Sequence, residues 1–110
     1  MDHLFVYGTR APGEENHHIM EHMAGSWQPA VAKGEVQKQT VGDHSGYPCF
    51  NPNKVDKTVN GMLFSSTELD SIWSYLDAFE GAAYKRITIQ VITESGSELT
   101  AYVYADLKSL

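Results

Sequence analysis

Apolar residues recur at helical spacing in the second half of the chain and predict its main helix, from about Ser66 to Glu80. The apolar stripe of this helix contains Leu69, Ile72, Trp73 and Leu76. Glu80 follows Leu76 by four residues, so its carboxylate is expected on the buried stripe rather than on the polar face. Gly81 comes next, and glycine is the residue that most often ends a helix.

Alternating and β-rich segments surround this helix. The segment Trp27–Gln39 is expected to be either a strand pair or one bent strand, with a bend or bulge at Gly34. Strands are expected at His3–Tyr7, Val59–Phe64, Tyr84–Thr93 and Leu99–Ala105. The last two should form an antiparallel hairpin, because apolar and polar residues alternate in both and a turn sequence separates them.

Two further segments complete the predicted organisation. Asn16 can cap a short helix from His17 to about Ala24. The stretch from Thr40 to Thr58 contains glycines and prolines and is expected to be a long irregular loop with a function. Together these elements predict a single α+β domain spanning residues 1–110, with a small curved or closed sheet and the main helix packed on it.

Charge and composition narrow the classes of function. The formal net charge is −6, and no run of Lys or Arg is present, which argues against nucleic acid or an anionic membrane surface as a partner. Apolar stretches are too short to span a bilayer. Met1-Asp2-His3-Leu4 lacks the charged-then-apolar pattern of a signal segment, so none is expected. The single cysteine excludes an internal disulfide, so a cytoplasmic location with no membrane association is expected.

Glu80 is the first candidate for chemistry. Burial disfavours its ionised form, as does the negative end of the helix dipole, so both should raise its pKa toward the range of a general acid/base. The alternative is that the helix frays before Glu80, leaving the side chain exposed or paired with Arg86. Tyr84 is the preferred cavity neighbour of Glu80, and Asp77 the preferred partner of Arg86.

Other residues offer weaker signals. Gly8 leaves a strand, so the turn from Tyr7 to Arg10 is expected to aim backbone N–H groups into a pocket, although a plain tight turn remains an alternative. His18 and His22 lie one helical turn apart, but no further ligand is spaced to join them, so no metal site is expected. Cys49 would need a nearby base to act as a nucleophile, and the sequence indicates none, so it should be a small, partly buried residue after Pro48.

Four motifs, in order from Leu4 to about Tyr104, resemble the γ-glutamylcyclotransferase-like (AIG2-like) family. They are Phe5-Val6-Tyr7-Gly8-Thr9 with Pro12-Gly13-Glu14 and Asn16, then Gly46-Tyr47-Pro48, then Val59-Asn60-Gly61-Met62-Leu63-Phe64, and finally Leu76-Asp77-x-Phe79-Glu80-Gly81-x-x-Tyr84-x-Arg86. The last motif matches the family pattern almost letter for letter. Each motif is weak alone, whereas four in register are a strong resemblance.

The resemblance implies a small mixed or antiparallel β-barrel with flanking helices and a cavity at one end. It also implies cyclisation of a γ-glutamyl amine or peptide to 5-oxoproline with release of the amine, and no cofactor or metal. By position, Glu80 would be the general acid/base. The substrate-binding residues would be Tyr7, Gly8, Thr9, Arg10, Tyr47 and Tyr84.

The first motif departs from the family at one point. The chain reads Arg10-Ala11 where the family usually has Leu-Arg. Either Arg10 takes over the role of the family arginine, or the loop and its specificity differ. This departure favours the alternative function, a non-catalytic member of the fold that binds a small molecule or a protein. Glu80 on the apolar stripe favours catalysis, because a binding module has no reason to bury an acid. The sequence does not indicate an oligomeric state.

Overall fold

A computed structural model describes residues 1–7, 23–40 and 46–110. The described residues form seven strands and one α-helix, with short 3₁₀ turns at Leu69–Ser71 and Leu107–Ser109. The strands are β1 (Asp2–Val6), β2 (Ser26–Lys33), β3 (Glu35–Lys38), β4 (Pro48–Asn51), β5 (Thr58–Ser66), β6 (Tyr84–Thr93) and β7 (Glu98–Asp106). The helix is α1 (Trp73–Glu80). Among these residues no helix is long and apolar enough to cross a membrane.

Five of the strands close into a barrel in the order β1-β5-β2-β6-β7. All neighbouring pairs in this order are antiparallel, and the closing pair is parallel, with Leu4 opposite Tyr102. Strand β4 extends the sheet beside β7, and β3 pairs with β4. The expected fold class, α+β with a small mixed or antiparallel β-barrel and flanking helices, is therefore confirmed, with one α-helix among the described residues.

Both faces of the barrel wall are buried where α1 covers it. The barrel interior is filled by Phe5, Ala30, Ala32, Phe50, Val59, Leu63, Val91, Ala101, Val103 and Ala105. The layer between barrel and helix contains Leu4, Val6, Cys49, Phe64, Leu69, Trp73, Leu76, Tyr84 and Tyr104. Because side chains alternate along a strand, one strand supplies both layers. On β7, Val103 and Ala105 point inward while Tyr104 packs under the helix.

The predicted start of the main helix is wrong. Ser66 belongs to β5, and a 3₁₀ turn comes before α1, which begins only at Trp73. The Ser66 hydroxyl accepts the Glu68 N–H at 2.9 Å and donates to the Ala24 carbonyl. That hydroxyl therefore fixes the chain where it leaves the barrel, and no side chain caps α1 at Ile72.

The expectation of a wholly irregular segment between Thr40 and Thr58 is also wrong, because it contains β4. Cys49 and Phe50 are fully buried there by the neighbouring strands, which local sequence alone does not reveal. The bend at Gly34 is confirmed. Its φ is +149°, and a Cβ at this position would lie 2.5 Å from the Phe50 ring, so glycine is required. The predicted helix from His17 lies outside the described residues apart from its end, where residues 23 and 24 are not helical.

Candidate active site

Helix α1 places Glu80 inside the protein. The residue is 5 % exposed, and its Oε2 atom is shielded from solvent. Leu76 and Trp73, on the same face of the helix, are also buried. Gly81 ends the helix with a φ of +85°, and its N–H donates to the Asp77 carbonyl at 3.1 Å. The burial of Glu80 predicted from helical spacing is confirmed, and the helix does not fray before it.

Tyr7 approaches Glu80 from the end of β1. Its ring lies 5.8 Å from the Phe50 ring, between centroids, and its hydroxyl donates to the Tyr104 carbonyl. Burial raises the pKa of Tyr7 well above its usual value, and the negative charge of Glu80 raises it further. The Tyr7 phenol therefore stays protonated, and it lies close enough to the Glu80 carboxylate for that charge to affect its pKa.

Tyr84 opens β6, four residues after Glu80. It is 9 % exposed, and its hydroxyl donates to the Pro48 carbonyl at 3.0 Å. Burial, followed by the charge of Glu80, raises the pKa of Tyr84 to about 12. The prediction that Tyr84 would be a neighbour of Glu80 agrees with this electrostatic coupling.

Tyr104 is a third tyrosine in the field of Glu80, and it was not among the predicted site residues. Its hydroxyl donates to Asp77 Oδ1 at 2.7 Å. Burial and this bond raise its pKa, with a smaller contribution from Glu80. The hairpin register, which sets Tyr104 opposite Arg86 of the fourth motif, is the signal that could have identified it.

Arg86 is paired with Asp77, as predicted. The guanidinium bonds both carboxylate oxygens, with Nε 3.0 Å from Oδ1 and the terminal nitrogen 3.3 Å from Oδ2. Its carbon lies 4.5 Å from the Trp73 ring centroid and 5.0 Å from that of Tyr102. The positive charge of Arg86 is therefore engaged with Asp77 and two aromatic rings.

The structure describes only some of the remaining predicted site residues. Gly8, Thr9, Arg10, His18 and His22 lie outside the described residues, so the predicted N–H turn and the expectation about a metal remain predictions. Tyr47, which is 43 % exposed, precedes Pro48, whose carbonyl accepts the bond from Tyr84. Cys49 is fully buried rather than partly buried as expected, and burial followed by the charge of Asp106 raises the pKa of its thiol to about 11.

Two surface cavities lie in the described part of the chain, and Glu80 and Tyr7 are not among the lining residues of either one. A cleft of about 280 Å³ is lined by Asp77, Tyr84, Lys85, Arg86 and Tyr104, at the end of the barrel where β1 and β7 finish. A groove of about 450 Å³ lies instead along the far half of β6, between Ile89 and Ile92, with Val31 and Val55. This groove is larger than the cleft but mostly apolar. None of the three tyrosines whose pKa is raised by the charge of Glu80 lines it.

The arrangement suits proton transfer at a carbonyl. A buried carboxylate can accept and return one proton. The protons of the three phenols near it are already donated to the Tyr104 and Pro48 carbonyls and to Asp77, so the phenols shape the site around that carboxylate. No group of three or more His, Cys, Asp or Glu side chains that could hold a metal occurs in the described part of the chain.

The chain is similar to one family model and to several solved structures. The family model for gamma-glutamyl cyclotransferase, AIG2-like, matches residues 4–108. No curated protein matches the sequence.

Several solved structures share the fold. A protein from Arabidopsis thaliana has a TM-score of 0.75 at 23 % identity, covering 99 % of this chain and 70 % of that one. An AIG2-like protein from Mus musculus has a TM-score of 0.70 at 23 % identity, covering 100 % and 79 %. YkqA from Bacillus subtilis has a TM-score of 0.72 at 27 % identity over 96 % of this chain, but only 36 % of its own length.

Proposed function

The chain belongs to the AIG2-like gamma-glutamyl cyclotransferase family, and we propose that it converts a γ-glutamyl amine or γ-glutamyl peptide to 5-oxoproline and a free amine. The observation that carries this proposal is the buried carboxylate of Glu80, whose charge acts on the phenols of Tyr7, Tyr84 and Tyr104. A cyclotransferase-type activity follows from the family in general, whereas the substrate and the role of Glu80 are specific to this proposal.

The reaction needs no enzyme nucleophile, because the substrate supplies its own. The α-amine attacks the γ-carbonyl carbon, so a new C–N bond closes the five-membered ring. Glu80 takes one proton from the α-ammonium group, which frees the amine to attack, and gives it to the leaving nitrogen as the original amide C–N bond breaks. The ring nitrogen then loses a second proton through Glu80, and the amine leaves as an ammonium ion. One positioned acid/base of this kind contributes about 10²–10⁴-fold in rate.

The developing oxyanion needs its own hydrogen-bond donor. The tetrahedral intermediate carries negative charge on the former carbonyl oxygen, and a fixed donor to such an oxygen contributes about 3–4 kcal/mol in comparable sites. We assign this role to backbone N–H groups of Gly8-Thr9-Arg10, because the three phenol protons are already donated within the protein. Tyr7 is the first choice for contacts with the substrate, because it leads into the Gly8-Thr9-Arg10 segment, which we propose binds the glutamyl end. Tyr47 and Tyr84 are the further proposed substrate contacts.

The test is a panel of γ-glutamyl amines and γ-glutamyl dipeptides incubated with the wild-type protein and scored for 5-oxoproline. We expect release from at least one class, and the preferred leaving amine identifies the substrate. The Arg10-Ala11 departure favours one alternative, a non-catalytic binder. That alternative predicts saturable binding of a γ-glutamyl compound by calorimetry with no 5-oxoproline formed from any member of the panel, a result that would overturn the proposed reaction.

A further inference from the structure

We propose that Asp77 is a positioning residue for Glu80, fastening the last turn of α1 to strands β6 and β7 through Arg86 and Tyr104. This inference rests on the proposed function of Glu80 and adds to it a residue whose carboxylate acts through the helix rather than on the substrate.

The bonds of Asp77 reach both strands of the hairpin. Oδ1 accepts from the Tyr104 hydroxyl at 2.7 Å and from Arg86 Nε at 3.0 Å, while Oδ2 accepts from the other Arg86 nitrogen at 3.3 Å. Arg86 and Tyr104 are direct partners in the β6–β7 register, so the two donors stand side by side on the barrel wall. The backbone carbonyl of Asp77 also accepts the Gly81 N–H. One residue therefore joins the barrel wall to the turn that carries Glu80.

The other end of the helix is fixed by the same arginine. The Arg86 guanidinium stacks on Trp73, the first residue of α1, and on Tyr102 of β7. The Trp73 indole N–H in turn donates to Asp2 Oδ2 at 3.0 Å. Arg86 thus connects both ends of α1 to the barrel, through Trp73 and Asp77. Glu80 lies about one helical turn after Asp77.

The helix depends on such contacts. With eight residues, α1 is well below the about 12–15 residues at which isolated helices become marginally stable, and no side chain caps its N-terminus. An aspartate in the last turn is unfavourable for the helix itself, because the dipole is negative there. Asp77 therefore does not help α1 as a helix, and its contribution comes from the bonds it makes to the barrel.

Fold stability is a weaker explanation of the same bonds. The Asp77 side chain is 44 % exposed, and ion pairs at that exposure add little to stability. The catalytic rate is more sensitive than stability to a small change in geometry, since a displacement of about 1 Å at a catalytic group can cost up to about 10²-fold in rate. Loss of the Asp77 bonds should therefore reduce turnover more than it reduces stability.

The experiment compares D77N with the matched control D70N, which makes the same chemical change at an exposed position in the preceding 3₁₀ turn. On the best γ-glutamyl substrate, D77N should lower kcat about tenfold, with KM little changed, and D70N should match the wild type. Y104F removes one hydroxyl only, so it should lower kcat in the same direction, and it serves as the test if D77N fails to fold.

The same substitution is then made in an E80Q background. If Asp77 acts through Glu80, D77N should lower the residual rate of E80Q no further, because the group it positions is already gone. A purely structural role predicts a further loss. Full activity of D77N and Y104F, or an equal loss from D77N with and without Glu80, would overturn the proposal.

Amide hydrogen exchange provides a readout that does not need the reaction. D77N should accelerate exchange at the Gly81 N–H, and D70N should not, with the β6–β7 hairpin equally protected in both. Unchanged Gly81 exchange would also count against the positioning role. If the wild type forms no 5-oxoproline, the proposed function fails, and the exchange result alone then decides whether Asp77 fastens the helix.

Discussion

The ionisation of Tyr84 reports the charge of Glu80 and the burial of the site. Its pKa of about 12 lies roughly two units above the ordinary tyrosine value of about 10, and its causes are burial first and then the negative charge of Glu80. Below about pH 10 the phenol is neutral in both folded and unfolded chains. Between about pH 10 and 12 the unfolded chain loses this proton while the folded chain keeps it, so the free energy of unfolding falls as the pH rises.

The size of this effect follows from the shift. Two pKa units at about 1.4 kcal/mol each correspond to about 3 kcal/mol of stability lost across that interval. Urea unfolding at a series of alkaline pH values should show the loss in the wild type and a smaller loss in Y84F. The control is Y75F, since Tyr75 lies on the same helix but is 60 % exposed.

The coupling to Glu80 gives a second measurement. The phenolate absorbance difference between wild type and Y84F isolates the titration of Tyr84. The same difference taken in an E80Q background should show a lower pKa that still lies above the ordinary tyrosine value, because burial is the larger cause and is retained. A Tyr84 that titrates near its ordinary value in the wild type would refute the burial argument. A titration unchanged by E80Q would refute the charge of Glu80 as a cause.

Two other predictions concern the layer between helix and barrel. Cys49 is fully buried with a thiol pKa of about 11, so a thiol reagent at neutral pH should label it only after denaturation, and rapid labelling of the native protein would contradict this. Leu76→Ala should lower the free energy of unfolding by about 2–5 kcal/mol, because Leu76 is fully buried on the face of α1 that packs on the barrel. Val55→Ala, at a residue 65 % exposed, is the control and should change it by less than about 0.5 kcal/mol.

The sequence was sufficient for elements whose pattern is local. The β6–β7 hairpin follows from strict alternation, and β6 spans Tyr84–Thr93 as predicted. The bend at Gly34 and the end of α1 at Gly81 follow from the conformations that glycine allows. The burial of Glu80 follows from its spacing to Leu76, and the Arg86–Asp77 pair was expected because Arg86 needed a partner other than Glu80.

Features that depend on tertiary contacts were not predictable in the same way. Strand β4 has a short sequence with a proline, and it forms because β3 and β7 supply its hydrogen-bonding partners. The late start of α1 reflects the extension of β5 to Ser66, where pairing with β1 outweighs helix propensity. Alternation along β7 places Tyr104 on the face opposite to Val103 and Ala105, but it does not show that a helix covers that face.

The measurement that tests the central claim most directly is the rate of 5-oxoproline formation by E80Q. Gln keeps the size of the side chain and removes the base, so E80Q should fold normally and lose at least about a hundredfold in kcat/KM. E94Q makes the same change at an exposed turn residue and should retain the wild-type rate. A folded E80Q protein that cyclises γ-glutamyl substrates at close to the wild-type rate would contradict the assignment of Glu80 as the proton carrier.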